Sequence, residues 1–284
     1  MADAITIDEG DGVATERAGR WTYHWRAPTK PFFHPVATPA GHVLSRDGTT
    51  SHPWHHGLWF TVKFVNGENF WEEIEPFGTL HHSGAPAVAG TTLTGTVRWV
   101  RPDGTVVVEE QRELTHVDLA PDAYALDLHL ELTARDDVEL DRTPYVGWGG
   151  YSGLTYRGRD DLDATFLLDG DATRGRDAVT GDRGRWLDLS GLAGGDAGAP
   201  VGVAMLDAPG NPNHPTPWYG HTDGAVYGEE GRTNFLNAAF LWDGPLAVAA
   251  GDTLTFDHRV LVHDGIWDAS RLETEYGAWL PRPS

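Results

Sequence analysis

The chain contains no cysteine among its 284 residues, and its only lysines are Lys30 and Lys63. Without thiols there can be no disulfide, no thiolate metal site and no cysteine nucleophile, and the redox compartment is left open. Positive charge is scarce as well: 21 Lys and Arg stand against 42 Asp and Glu, a formal net charge of -21. That balance repels phosphate backbones and anionic lipid, so neither nucleic acid nor a membrane surface is expected as a partner. No run reaches the roughly 18 apolar residues of a membrane span. The opening MADAITIDEGDG is acidic where a secretory leader carries a basic start and an apolar stretch, so a cytoplasmic location is expected. The sequence also lacks a G-x-S-x-G elbow, a P-loop and a G-x-G-x-x-G opening a helix. These absences argue against α/β-hydrolase, nucleoside-triphosphatase and dinucleotide-binding readings.

What is abundant is aromatic: 12 Trp, 8 Tyr and 10 Phe. Most must fill a core, but indoles and phenols also make walls on which sugar rings stack. The dominant period is two. In Ala123 to Thr133, Leu126, Leu128, Leu130 and Leu132 share one face while Asp127, His129 and Glu131 share the other, the pattern of a half-buried antiparallel strand. Similar runs cover Thr91 to Val100, Thr105 to Leu119, Ala164 to Leu168, Val201 to Leu206 and Thr253 to His263, with a hairpin turn at Arg101-Pro-Asp-Gly104. Leu58 to Val65 reads as a strand turning at Asn66-Gly67, and the polar piece Asp169 to Arg185 as a surface loop. Only residues 268–280 read as helix, with Asp268 as N-cap and Leu272, Tyr276 and Trp279 on one face. The expectation is an all-β chain, one large antiparallel β-sandwich domain over residues 1–284 with a short C-terminal helix and with residues 1–19 as a peripheral or disordered arm.

Chemistry concentrates in histidine. Seven of the fourteen, His34, His42, His52, His55, His56, His81 and His82, fall within 49 residues, and SHPWHHGLWF holds three of them beside two tryptophans. Imidazole suits proton transfer near neutral pH and is the commonest nitrogen ligand for metals. The loop spacing matches no zinc signature such as HExxH. A divalent metal, if bound, would be Zn, Mn or Fe on histidines with Glu72 or Glu73 completing the shell. The plain structural alternative is that each ring bonds backbone carbonyls beside packed Trp54 and Trp59. A second dense segment, Pro209 to Gly220, sets His214 and Trp218 among four prolines, stiff enough either to wall a binding site or simply to cover a sheet edge.

Three stretches together, Pro31 to Gly41, His52 to Phe60 with Val65 to Glu72, and Val201 to Asp207 with Asn211 to Trp218, resemble a bacterial domain family that carries the label methane oxygenase PmoA. The resemblance runs from about residue 20 to 265. The label does not suit this chain, since a particulate methane monooxygenase subunit spans the membrane. Members are often encoded near sugar oxidoreductases and sugar isomerases. The resemblance therefore implies a galactose-mutarotase-like supersandwich acting on carbohydrate with histidine and carboxylate side chains. It places the family's histidines at His34, His52, His55, His56 and His214, with Trp218 beside the last. The chain departs from the family pattern at Tyr145 to Tyr151 and at His221 to Gly228, as a subgroup with altered substrate contacts would.

The expected function is acid–base chemistry on a sugar or keto-sugar derivative: epimerisation, elimination or glycoside cleavage. His55 or His56 would be base or acid, His214 its counterpart, and His34 and Glu72 orienting groups. Trp54 and Trp218 would stack on the ring, with His52, His81, Tyr219 and Asn211 as further substrate contacts. Two alternatives stay open, a non-catalytic carbohydrate-binding module and a histidine-ligated metal-dependent lyase or oxygenase. A homo-oligomer is compatible with all three.

Overall fold

A computed structural model of the chain describes residues 4–195, 197–227 and 231–280. Among these residues two nine-stranded antiparallel sheets pack face to face. The first runs, in spatial order, Ile5–Asp8, Val13–Glu16, Trp21–His24, Phe32–Val36, Leu58–Thr61, Gly153–Arg157, Arg232–Ala238, Pro217–Asp223 and Ala178–Arg183. The second runs Leu162–Leu168, Trp186–Ala193, Ala199–Asp207, Thr253–Asp264, Ala123–Ala134, Val106–Ala120, Thr92–Val100 and Thr79–His82, with Ala87–Ala89 on the edge of Thr92–Val100. A small sheet of Leu246–Val248, Val138–Asp141, Phe64–Val65 and Glu68–Asn69 lies apart from both.

The alternation read from sequence decides which side chains enter the sandwich. Leu126, Leu128, Leu130 and Leu132 all join the main core, with Leu58, Phe60, Leu154, Tyr156, Trp218 and Leu236 from the other sheet. Full burial of each large apolar side chain contributes roughly 1.5–3 kcal/mol. One charged group crosses this core. Arg112 donates to Glu110 and, at 3.1 Å, to the Tyr23 hydroxyl of the opposite sheet. Burial pushes the Tyr23 phenol up to about 12, so it remains a neutral hydrogen-bonding group.

The hairpin at Arg101-Pro-Asp-Gly104 is present, closed by Gly104 N to Arg101 O at 2.9 Å. The helix is Ala269–Trp279, capped by the Asp268 carboxylate accepting from Arg271 N at 2.9 Å. It lays Leu272 and Tyr276 on Leu206, Leu261 and Trp186, on the side of the second sheet away from the main core.

Three expectations are corrected. Residues 5–8 and 13–16 are paired strands at the edge of the first sheet rather than a loose arm, because Ile5, Ala14 and Trp21 alternate into the core. Leu58 to Val65 is not one strand. It breaks at Val62-Lys63, where the chain leaves the first sheet for the small one. The stretch Asp169 to Arg185, read as loop, contributes the edge strand Ala178–Arg183, paired with Pro217–Asp223. Its polar composition suits an edge, where one face and one row of backbone groups meet water.

Candidate functional site

Period-two alternation gives the first sheet a second face. Between Leu58 and Phe60, both in the sandwich core, Trp59 points the other way, and the same holds for Tyr219 after Trp218 and for Phe235 before Leu236. The strands Leu58–Thr61, Gly153–Arg157, Arg232–Ala238 and Pro217–Asp223 are consecutive neighbours, so these side chains meet. Phe32, Trp59, Trp71, Tyr219 and Phe235 form a separate buried cluster, with Trp54, Tyr151 and Trp242 packed on it.

Above this aromatic floor the histidine-rich loop makes a compact turn. His52 N donates to Thr49 Oγ1 at 2.9 Å, His55 N to His52 O at 3.1 Å, and Gly48 N to His55 O at 2.8 Å. Gly57 returns the chain to the sheet at φ 59°, and a Cβ there would lie 2.2 Å from Phe33 O. Only glycine permits both the dihedral and the approach.

The turn and the floor enclose a half-open cavity of about 420 Å³, lined by His52, Trp54, His55, Glu72, Gly147, Trp148, Tyr151, Arg157, Tyr219, Thr233 and Phe235. Its volume and mixed lining are those of a small-molecule site, for which roughly 300–1,000 Å³ is usual. His55 is packed among rings: His52 is stacked on it at 4.7 Å between centroids, with Phe235 at 5.2 Å and Trp59 at 5.4 Å. His52 is oriented in turn by Ser51, whose hydroxyl lies 2.9 Å from Nδ1. Glu72 accepts from the Lys63 ammonium, which also donates to the Tyr151 hydroxyl at 3.3 Å. Arg157 is 1 % exposed yet reaches the lining, and its backbone N–H bonds Gly57 O at 2.6 Å, tying the guanidinium's strand to the histidine loop.

Of the residues read from sequence, the structure gathers His52, Trp54, His55, Glu72 and Tyr219 in one cavity. The others lie elsewhere. His56 turns away from its neighbour, with Nδ1 2.6 Å from Asp47 and Nε2 2.9 Å from Glu73. Burial opposes its protonation, but the two carboxylates outweigh burial and raise its pKa. Glu73 also accepts from Lys30 at 2.8 Å and Thr29 at 2.6 Å, and against the effect of burial these donors bring it down to about 2. His56 is therefore an imidazolium clamp between two segments and not a lining group. His34 rests against Ser45 Oγ at 2.9 Å, outside the lining.

His214 does not meet His55, which corrects the expectation of two loops sharing one hollow. Its Nδ1 lies 2.7 Å from the buried carboxylate of Asp207, which also accepts from Asn211 at 2.7 Å and from Thr216 N at 3.2 Å. An anion placed at the end of Ala199–Asp207 needs these donors, and the proline-rich segment exists to bring them. Trp218 is fully buried in the sandwich core, its indole N–H on Gly184 O at 3.0 Å, so it cannot stack on a ligand. Asn211 serves Asp207 and the Asp257 backbone instead of a ligand. His81 lines a different, smaller hollow with Trp25, Arg26 and His82. Among the described residues no three His, Asp or Glu side chains converge to hold a metal ion.

Sequence reasoning missed Arg157, Thr233, Phe235, Trp148 and the lining role of Tyr151. The one signal was the departure of Tyr145 to Tyr151 from the family pattern.

Fold and site define an all-β sandwich protein with an aromatic-floored, histidine-bearing cavity of small-molecule size on the outer face of one sheet. More specifically, the chain belongs to DUF6807, a family of unknown function, whose profile matches residues 13–277. No curated protein matches it. No helix among the described residues is long and apolar enough to cross a membrane.

Proposed function

We propose that the cavity binds a sugar or oxidised sugar derivative and that His55 transfers a proton at its reacting carbon or oxygen. The observation carrying this reading is the convergence of two imidazoles, a carboxylate, two phenols and a guanidinium on one aromatic-floored volume. Tyr219, Phe235, Trp54 and Tyr151 offer flat faces to a pyranose, and His52, Glu72, Arg157 and Thr233 offer hydrogen bonds to its hydroxyls. A proton taken by an imidazole and returned by a second acid is the step shared by epimerisation, elimination and glycoside cleavage. In an oxidised sugar, the Arg157 guanidinium would stabilise negative charge developing on a carbonyl or carboxylate oxygen. Folds of the galactose-mutarotase-like supersandwich kind act on carbohydrate from a sheet face, and the cavity's position on such a face supports the reading.

One observation favours a second reading, a non-catalytic carbohydrate-binding module: Glu72 is already held by Lys63, so it can act as a base only if that bridge opens. Calorimetry and NMR on a panel of hexoses, uronates and keto-glycosides, with wild type and His55→Gln, separate the two. Turnover by wild type that is lost in His55→Gln supports the enzyme. Sugar binding by both without chemical change supports the module. Absence of binding across the panel removes the carbohydrate reading.

A further inference from the structure

The cavity is graded from a buried end to an exposed mouth. Arg157, Tyr219, Thr233 and Phe235 are buried, whereas Trp148 at the rim is 50 % exposed. The loop that carries Trp148 is a built structure. Gly150 N donates to Thr143 O at 2.7 Å, and Val146 N to Trp148 O at 3.1 Å. Glycine is obligatory at its base. Gly149 sits at φ 102° with room for a Cβ taken by Thr143 O at 2.8 Å, and a Cβ on Gly150, at φ 83°, would run into the Trp242 ring. Tyr145 anchors the same loop by packing on Trp242, with centroids 5.0 Å apart. The loop holds three large apolar side chains out together, Tyr145, Val146 and Trp148, and an exposed apolar patch at the mouth of a cavity marks a contact for something else.

The composition of the loop narrows what that contact is. Residues 146–150 are Val-Gly-Trp-Gly-Gly, so the indole N–H is the only side-chain hydrogen-bonding group they offer. A second sugar ring would keep its hydroxyls in water at that rim and gain only one stacked face, while a flat apolar ring gains both from the indole face and from leaving water. Lys63 lies over one face of that ring, its Nζ 5.8 Å from the centroid, and links the rim to Glu72 within the cavity.

We infer that the ligand is a glycoside with a flat apolar aglycone, the sugar inside on His55, Glu72 and Arg157 and the aglycone stacked on Trp148. This rests on the carbohydrate reading of the cavity and extends it to a substrate class. Trp148 is then a specificity residue that touches the aglycone and takes no part in proton transfer.

Calorimetry with matched methyl and phenyl pyranosides of gluco, galacto and manno configuration tests it, on wild type, Trp148→Ala and Trp148→Phe. The expected result is that wild type binds the phenyl form of the preferred sugar roughly tenfold more tightly than the methyl form. Trp148→Ala should reduce that preference to about twofold or less, and Trp148→Phe should restore most of it. Equal affinity for phenyl and methyl forms in wild type overturns the inference and leaves the carbohydrate reading standing. So does a Trp148→Ala variant that weakens both forms by the same factor. If no pyranoside binds, the inference and the carbohydrate reading fall together.

Discussion

His55 and His56, adjacent in the chain, serve opposite sides of one loop: His55 lines the cavity among aromatic rings, and His56 bridges the carboxylates of Asp47 and Glu73. Substitution should therefore separate chemistry from architecture at neighbouring positions. His55→Gln is expected to reduce turnover of a processed sugar by about 10²–10⁴-fold, the range for loss of a general acid or base. Its melting temperature should stay near that of wild type, because glutamine keeps much of the volume and a polar end. Steady-state kinetics beside a thermal melt checks both halves, and a His55→Gln protein with wild-type turnover removes His55 from the chemistry.

His56 predicts a pH dependence of stability. Its folded pKa lies above the ordinary 6.5, so its contribution is complete below about 6.5 and disappears as pH rises through the higher folded value. Glu73 works in the other sense: lowered from 4.5 to about 2, it contributes above about 4.5 and is lost as pH falls towards 2. Thermal melts from pH 3 to 9 should show that His56→Gln loses most in the window between these limits and least at alkaline pH. Parallel curves for variant and wild type across that range would contradict the clamp.

The Lys63–Glu72 pair sets a third test. Lys63 is buried, and removing Glu72 leaves its ammonium only the Tyr151 hydroxyl and the neighbouring rings, with no counter-charge in the pair. Glu72→Ala should cost about 3 kcal/mol, the lower end for breaking a buried pair because Glu72 itself is partly open to the cavity. The double substitution Lys63→Met, Glu72→Leu should recover most of that loss in urea denaturation. If the double variant is as unstable as the single one, the cost lies in packing.

His214→Ala distinguishes the sequence reading from the structural one. It removes a donor from buried Asp207, and a loss of about 1–3 kcal/mol in stability is expected with sugar affinity unchanged. A variant of unaltered stability that no longer binds sugar would return His214 to the site.

Gly57→Ala should be the most damaging single methyl group in the loop, costing more than about 2 kcal/mol, since both the positive φ and Phe33 O oppose it. Soluble expression and melting temperature report it directly, and a wild-type melt would show that the loop can move off Phe33.

The strands were legible where one face is wet and one is dry, as in Leu126 to Leu132, and the helix because Asp268 and the spacing of Leu272 and Tyr276 are local signals. The cavity was half legible for the same reason. His52, Trp54, His55 and Glu72 lie close together in sequence and stand out by type. Arg157 and Phe235 reach the cavity only because Leu58–Thr61 pairs with Gly153–Arg157, and that strand with Arg232–Ala238, over separations of about ninety-five and about eighty residues that no periodicity encodes. His214 misled because a rare residue in a stiff loop is equally what a buried aspartate requires. The break at Val62-Lys63 was hidden because Thr61 and Lys63 keep up the alternation with Phe60, Val62 and Phe64.

The rings on the outer face of this sheet alternate, residue by residue, with the side chains that hold the two sheets together. Tyr219 and Phe235 face the cavity, while Trp218 and Leu236, their neighbours in the chain, face the interior. On the carbohydrate reading proposed above, a change on one side of this sheet would retune recognition and leave the skeleton on the other side in place.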